Sequence, residues 1–215
     1  MIERIQFRSK EEWLKHRDRV GGSEASALVG CNPYKTNQEL WREKTGRAIP
    51  PDISDKPYVR YGTEAEPFLR GLFAIDYPQY KVEYFENNMI INSKYPFAHA
   101  SLDGELTDAD GRKGILEIKT TNILQSMHMA RWDGKIPQNY YVQLLWYMMV
   151  TEYEYAWLVA QLKMDYRDGM RKVTKHFYIE KSDVEEDIEM VREAGERFWQ
   201  AVQVDMEPGC ALPFI

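Results

Sequence analysis

The sequence predicts a mixed α/β fold in which helices flank a central mixed β-sheet. Apolar residues recur at helical spacing through the first third of the chain, and again over residues 138–151 and 182–204. Short runs with the two-residue alternation of strands precede the first of these two helices and separate it from the second. Such an order is typical of a sheet covered by helices. No repeat, low-complexity tract or composition shift divides the chain, so residues 1–215 are predicted to form one domain.

The first third of the chain is predicted to be helical, with one loop. Ser23 follows two glycines and is predicted to cap a helix, because its hydroxyl can accept hydrogen bonds from free amides of the first turn. Residues 49–57 contain three prolines and are predicted to be a loop. The predicted helices cover 10–20, a short segment from 23, 37–45 and 62–75. The last of these has four apolar residues expected on one face: Phe68, Leu69, Leu72 and Phe73.

The rest of the chain alternates between predicted strands and helices. A meander of strands is predicted first, followed by a helix that begins near Pro137, two more strands and a long terminal helix. The predicted strands cover 81–85, 89–92, 97–106, 114–121, 156–164 and 173–180, and the predicted helices cover 138–151 and 182–204.

The composition is that of a folded, non-membrane protein. Hydrophobic residues make up 44% of the chain and charged residues 29%, and no apolar run is long enough to span a bilayer. The net charge of −6 argues against a general polyanion binder but leaves room for local basic surfaces. Two distant cysteines and the absence of an apolar leader predict a reducing, cytoplasmic location.

Two neighbouring predicted strands carry the residues best suited to chemistry. Glu117 and Lys119 alternate with Leu116 and Ile118, so the acid and the lysine share one face of their strand. Asp103 lies on the preceding strand and can stand across from them. Two carboxylates beside an ammonium suit a divalent cation and an activated water. Taken alone, the pattern also fits a solvated strand face or an edge-strand charge pair.

The order of several motifs resembles one nuclease family. Asp103-Gly104 followed by Glu117-Ile118-Lys119 resembles the core of the PD-(D/E)xK nuclease superfamily. Four further stretches, in the same order as in the family, resemble the YqaJ-type viral recombinase nucleases, the family of phage lambda exonuclease. These stretches are residues 13–17 with 21–26, 61–67, 101–104 and 137–144. The resemblance covers about residues 13–160 and implies a restriction-endonuclease-like core.

The resemblance implies a metal centre in which four groups act as ligands. Asp103, Glu117 and the carbonyl of Ile118 would bind one or two Mg²⁺ ions, with Mn²⁺ as a substitute, and Glu66 would bind directly or through water. Lys119 would orient the attacking water or help to deprotonate it; both roles fit. For Glu66 the competing interpretation is an acid that interacts with the positive end of a helix dipole.

A helix after the strand pair is expected to support the metal centre. Gln143 would hold the water or the lysine through its amide; the competing interpretation is a polar residue on a solvated helix face. Tyr140 lies on nearly the same face of this helix. Two interpretations stay open for it, packing in the core and support of the site. Relatives often have a second glutamine two residues later, where this chain has Leu145.

The resemblance also implies that the protein binds a 5′-phosphate. Arg17 and Ser23 are the candidates, because a guanidinium and a hydroxyl at a helix start suit a phosphate dianion. Arg19 is a rival for Arg17, whose other interpretation is a surface charge beside Trp13. Thr120, just after Lys119, is a candidate contact to backbone phosphate, although strand propensity alone also explains it.

Together these features predict a Mg²⁺-dependent exonuclease. The resemblance implies 5′→3′ digestion of one strand of linear double-stranded DNA, which leaves a 3′ single-stranded tail for phage-type recombination in a bacterial host cell. It further implies a homotrimeric ring and a single-strand annealing protein as partner. The alternatives are a structure- or sequence-specific endonuclease of the same superfamily and a non-catalytic module that binds DNA ends.

Overall fold

The computed structural model describes residues 1–166 and 169–213. Seven α-helices are found in this part of the chain, together with one short 3-10 helix at Lys181–Asp183. The α-helices are α1 (Lys10–Lys15), α2 (Gly22–Leu28), α3 (Asn37–Lys44), α4 (Pro57–Asp76), α5 (Ser126–Ala130), α6 (Gln138–Thr151) and α7 (Glu185–Gln203).

The strands of the described residues form two sheets. They are β1 (Ile2–Gln6), β2 (Val20–Gly21), β3 (Lys81–Glu83), β4 (Asn88–Asn92), β5 (Ala98–Ala100), β6 (Gly104–Thr107), β7 (Lys113–Ile123), β8 (Tyr155–Tyr166) and β9 (Gly169–Glu180). One sheet has the order β1-β4-β5-β2 and the other the order β3-β6-β7-β8-β9. Each sheet is mixed, because β2–β5 and β7–β8 are parallel pairs and the other pairs are antiparallel.

Helices cover both faces of the five-stranded sheet. On one face, Leu69 and Phe73 of α4 pack against strand residues that include Leu116 and Ile118. On the other face, Ile115 belongs to a larger cluster with α2, α6, α7 and parts of the four-stranded sheet. The side chains of β7 therefore alternate between the two faces as the sequence predicted, and Glu117 lies on the face that α6 covers.

The predicted fold class is confirmed, since helices flank mixed sheets, although the strands divide into two sheets. The strand predicted at 97–106 is interrupted, because the chain leaves the four-stranded sheet after β5 and enters the five-stranded sheet at β6. The strand β1 was not predicted. Two exposed residues contradict the apolar face expected for α4: Phe68 is 75% and Leu72 53% exposed, because only Leu69 and Phe73 point at the sheet.

The helix boundaries differ from the predicted ones at three places. The helix α4 begins at Pro57 rather than at residue 62, so Pro57 takes the first helical position, where its missing N–H is no loss. Ser23 does not cap α2, contrary to the prediction. The N-cap is Gly21, whose N–H donates to Glu24 Oε2 over 2.9 Å, and Ser23 is the second residue of the helix. The helix predicted over 10–20 ends at Lys15.

None of the helices in residues 1–166 and 169–213 is both long and apolar enough to cross a membrane. This agrees with the absence of a long apolar run in the sequence.

We expect Gly114→Ala to lower the free energy of unfolding by about 1–3 kcal/mol, the usual effect of overpacking a core. A Cβ at Gly114 would lie 2.1 Å from the ring of Tyr155, which is fully buried. Gly71 in α4 provides the control, because a Cβ there meets nothing within 4 Å. Alanine at Gly71 should instead stabilise the helix by about 0.5–1 kcal/mol. Urea unfolding measures the free energy of unfolding of both variants. Equal values for the two variants would contradict the close packing of Gly114 against Tyr155.

Candidate active site

A cavity of about 390 Å³ lies where the two sheets meet. Its walls come from α1, β2, α2, α4, β4, β5, β7 and α6 and from the segments that join α1 to β2, β3 to β4 and β5 to β6. Seven of the residues singled out from the sequence line it: Arg17, Ser23, Glu66, Asp103, Glu117, Lys119 and Gln143. Residues that are far apart in the chain thus meet at one opening.

Asp103 immediately precedes β6 and links it to β7. Its Oδ2 accepts a hydrogen bond from the N–H of Ile118 over 2.8 Å. In an antiparallel arrangement the N–H and C=O of one residue point to the same side of the strand. The carbonyl of Ile118 therefore points toward the side on which Asp103 lies. This direction suits the ligand role that the resemblance implies for that carbonyl.

Glu117 is almost fully buried, with 2% of its side chain exposed. Its Oε1 lies 2.5 Å from Lys119 Nζ and accepts a hydrogen bond from Gln143 Nε2 over 2.6 Å. Gln143 is itself 4% exposed, which argues against the interpretation of a solvated helix face. Its amide also donates to Tyr147 Oη over 3.0 Å. The amide is thus fixed from α6 onto the carboxylate of β7.

Arg70 holds the third carboxylate and was not singled out from the sequence. Its guanidinium pairs with Glu66, one turn earlier on α4, and its Nε donates to the backbone oxygen of Asp103 over 2.6 Å. The same guanidinium lies 3.6 Å above the ring of Tyr84. The i,i+4 spacing from Glu66 was the available sequence signal. Because Glu66 lies in the third turn of α4, the helix-dipole interpretation fails.

The electrostatics of the site favour a bound cation. Burial, reinforced by the charge of Asp103, raises the pKa of Glu117 to about 8 and that of Glu66 to about 7. Burial also raises the pKa of Asp103. The ionised carboxylates are thus disfavoured without a cation among them. Burial disfavours the ammonium of Lys119, but the charges of Glu117 and Asp103 outweigh it and raise the pKa of that lysine.

The donor set fits a hard divalent cation. Glu117 Oε2 is buried and has no hydrogen-bond partner within residues 1–166 and 169–213, so one carboxylate oxygen remains free for a ligand. Oxygen donors of this kind are those that Mg²⁺ prefers. The described side chains form no ready-made cluster of three His, Cys, Asp or Glu ligands. Instead, Lys119 and Arg70 neutralise Glu117 and Glu66.

The wall of the same cavity also includes the candidate phosphate ligands. The guanidinium of Arg17 lies 5.0 Å from the ring of Trp13 and 3.8 Å from Glu24 Oε1. Its Nε is buried without a partner in the described part of the chain, and Ser23 is exposed at the cavity rim. Arg19 is absent from the described residues of the cavity wall. The geometry therefore favours Arg17 over its rival.

Three other residues complete the description of the cavity and its surroundings. His99 lines the wall and is 2% exposed; burial, with help from Arg17, lowers its pKa to about 3, so it is neutral. Tyr140 supports the site from α6, with its ring 5.6 Å from Lys119 Nζ. Thr120 is not brought to the cavity, because it lies on the other face of β7, where its Oγ1 would be 3.2 Å from a Cβ at Gly62.

The sequence matches one protein-family model, that of the YqaJ-like viral recombinase domain, over residues 12–154. The chain belongs to the YqaJ-like viral recombinase family. The predicted recognition is thereby confirmed. This YqaJ-like chain is 33% identical over 195 residues to the uncharacterized protein YqaJ of Bacillus subtilis (strain 168), which covers 89% of it. It spans only 56% of the length of that relative.

Solved structures with a similar fold include a nuclease. The alkaline exonuclease LHK-Exo of Laribacter hongkongensis matches with a TM-score of 0.65 and 19% identity over 91% of the YqaJ-like chain and 94% of its own. A structure described as LHK-Exo in complex with dAMP matches equally, at a TM-score of 0.65 and 18% identity over 92% and 94% of the two chains. At these identities the comparison establishes a shared fold.

Proposed function

We propose that this protein is a Mg²⁺-dependent 5′→3′ exonuclease that digests one strand of linear double-stranded DNA. One observation carries the proposal: a single cavity is lined both by buried carboxylates with a lysine and by Arg17 with Ser23. The first group suits hydrolysis of a phosphodiester, and the second suits a terminal phosphate. Membership of the viral recombinase family and the fold shared with an alkaline exonuclease support this proposal.

The metal centre would use Asp103, Glu117 and the Ile118 carbonyl, with Glu66 as a direct or water-mediated ligand. When bound, Mg²⁺ or Mn²⁺ would supply Lewis-acid chemistry that activates water and offsets charge on the phosphate. Lys119 is an ammonium in the absence of metal, because its pKa is raised. We therefore propose that it acts as a hydrogen-bond donor that orients the nucleophile or the phosphate.

Two further side chains would position the ligands. Gln143 fixes the buried oxygen of Glu117 that Lys119 also contacts, so the free oxygen is presented toward the cavity. Arg70 ties Glu66 on α4 to the backbone of Asp103. These contacts connect four separate segments of the chain, α6 with β7 and α4 with the residue before β6, and so hold the candidate ligands in a defined arrangement.

Recognition of a 5′-phosphate would set the polarity of digestion. Strands gripped at their 5′ end would be shortened from that end, and the complementary strand would remain as a 3′ tail suited to a single-strand annealing protein. The LHK-Exo complex with dAMP is consistent with mononucleotide release by this fold. We place this activity in the cytoplasm of a bacterial host, where phage-type recombination acts.

A homotrimeric ring remains part of the proposal. The helix α4 exposes three apolar residues at helical spacing, Phe68, Leu72 and Ile75, which are 75%, 53% and 74% exposed. An apolar stripe of this kind is typical of a contact between subunits. Light scattering of the purified protein measures the subunit number.

Digestion of linear duplex labelled at either the 5′ or the 3′ end, with and without Mg²⁺, tests the function. We expect Mg²⁺-dependent release of 5′-labelled mononucleotides at once and of 3′-labelled products only late. Supercoiled circular DNA should remain intact; its cleavage would favour the endonuclease alternative. Binding to linear ends without any release of nucleotides would favour the non-catalytic module.

We expect duplexes with 5′-phosphate ends to be digested at least tenfold faster than duplexes with 5′-hydroxyl ends. The guanidinium of Arg17 should form charge-assisted hydrogen bonds with a phosphate dianion and only weak ones with a hydroxyl. Arg17→Met should remove most of the preference, whereas Arg19→Met, the matched control outside the described cavity wall, should keep it. Initial rates on both substrates measure the effect. Equal rates with the unmodified protein would refute the roles of Arg17 and Ser23.

A further inference from the structure

A pair of lysines on the β8–β9 hairpin lies outside the cavity described above. Lys163 and Lys172 are direct cross-strand partners, so two positive charges face each other in the sheet. Like charges in this position destabilise a sheet. Within residues 1–166 and 169–213, neither ammonium forms an ion pair with a carboxylate, although the chain as a whole is acidic. In the described part of the chain, the pair is thus a local concentration of positive charge without a neutralising acid.

The aromatic ring of Tyr61 lies close to both lysines. The Nζ of Lys163 lies 3.4 Å from the centre of the Tyr61 ring, and the Nζ of Lys172 lies 5.3 Å from it. The hydroxyl of Tyr61 donates to Gln161 Oε1 over 2.5 Å, which fixes the ring against β8. Lys163 is 7% exposed, and a buried ammonium is unfavourable unless it is paired. Burial and the charge of Lys172 accordingly lower the pKa of Lys163.

The pair belongs to the same sheet as Lys119 but lies on its opposite face. Gln161 is the register partner of Thr120, and Lys163, two residues further along β8, lies on the same face as Thr120 and α4. Ala160, the register partner of Lys119, points to the face that α6 covers. Tyr61 lies on α4, five residues before Glu66.

We infer that Lys163 and Lys172, held by Tyr61, form a binding site for a backbone phosphate of the DNA. A phosphate between the two ammoniums would remove the like-charge repulsion and satisfy the buried charge. Lys172 is exposed and makes the outer contact, while Lys163 lies behind it against the ring. This site would hold the polynucleotide on the α4 face of the sheet, outside the cavity that Lys119 lines. The inference rests on the proposed function for the identity of the anion, DNA.

The salt dependence of DNA binding tests this site. Affinity for a labelled linear duplex is measured by fluorescence anisotropy in EDTA over a series of salt concentrations. Each phosphate contact contributes about 0.9 to the slope of log affinity against log salt concentration. Because both lysines contact one phosphate, Lys172→Met should lower the slope by up to about 0.9, and the double variant with Lys163→Met by about 0.9 in total. Lys172→Arg, which keeps the charge, should restore the slope.

The matched control is Lys81→Met, because Lys81 lies on β3 at the opposite edge of the same sheet. It should leave the slope unchanged. Thermal unfolding provides a second readout: without an anion, Lys172→Met removes a like-charge contact and should leave the protein at least as stable. An unchanged slope in the folded Lys172→Met variant would overturn the inference.

The same measurements separate this inference from the proposed function. A reduced slope in a protein that releases no nucleotides in Mg²⁺ would support the phosphate site and refute the exonuclease. Nucleotide release by the unmodified protein, together with an unchanged slope in the lysine variants, would support the exonuclease and refute the phosphate site. The two conclusions therefore fail independently.

Discussion

Replacement of Lys119 by alanine is expected to abolish DNA cleavage, with a loss of at least about 10³-fold in rate, while DNA binding persists. The ammonium of Lys119 lies 2.5 Å from Glu117 Oε1 and is therefore beside the proposed metal centre. Positioned donors and acids of this kind contribute about 10²–10⁴-fold to rate. The release of acid-soluble nucleotides from linear duplex in Mg²⁺ measures the loss, and anisotropy with labelled duplex measures binding.

The matched control for this variant lies on the same strand. Lys113 is at the far end of β7, and its ammonium donates to Thr107 Oγ1 over 2.8 Å. Lys113→Ala should therefore cleave DNA at the rate of the unmodified protein. Normal turnover by the Lys119→Ala variant would show that the catalytic centre is elsewhere.

Asp103→Asn is expected to cause a loss of similar size, at least about 10³-fold, for a different reason. The amide can still accept the hydrogen bond from Ile118 but no longer provides a negative charge for a cation. Mg²⁺ should raise the unfolding temperature of the unmodified protein by ligand linkage and should have little effect on the variant. Asp110→Asn, in the exposed turn of the same hairpin, provides the control.

The metal-free protein should also show an unusual dependence of stability on pH. The folded pKa of Glu117, about 8, lies above its unfolded value of about 4.3, so the folded state binds more protons between these limits. The contribution of Glu117 to the free energy of unfolding should therefore be greatest below about pH 4.3. It should fall as the pH rises toward 8. Asp103→Asn should weaken this decline, because the charge of Asp103 helps to raise that pKa. An identical decline in the unmodified protein and in the Asp103→Asn variant would contradict this effect of the Asp103 charge on the pKa of Glu117.

Mg²⁺ should reverse this trend. Carboxylates must be ionised to bind metal, so the increase in unfolding temperature caused by Mg²⁺ should be larger at pH 9 than at pH 6. Calorimetry at both pH values, with Mg²⁺ or EDTA, measures the difference. An equal increase at both values would mean that the ion binds away from Glu117 and Glu66.

The parts of the site that follow from local periodicity could be predicted from the sequence. Alternation along β7 placed Glu117 and Lys119 together on one face, opposite to Leu116 and Ile118, and the structure has this arrangement. The helix that carries Gln143 was also predicted within the bounds observed. These features depend on the geometry of one strand or one helix, which the chain fixes over a few residues.

Other parts depend on how distant segments pack, and local patterns do not encode this. The contact between Arg70 and the backbone of Asp103 requires α4 to lie across the start of β6. The separation of the strands into two sheets requires the chain to change sheets between residues 100 and 104. Thr120 follows Lys119 directly in sequence, but alternation places it on the other face of β7, outside the described wall of the cavity, so its contact to a phosphate stays a prediction.

The change of sheets between β5 and β6 has a consequence for how relatives of this protein can diversify. Arg17 and Ser23 flank β2, which belongs to the four-stranded sheet, whereas Glu117 and Lys119 lie in the five-stranded sheet. If the proposed function holds, inherited changes around β2 would alter which DNA ends are accepted while the proposed hydrolytic residues stay as they are. The residues near β2 and those on β7 can therefore change independently in evolution, although both groups line the same cavity.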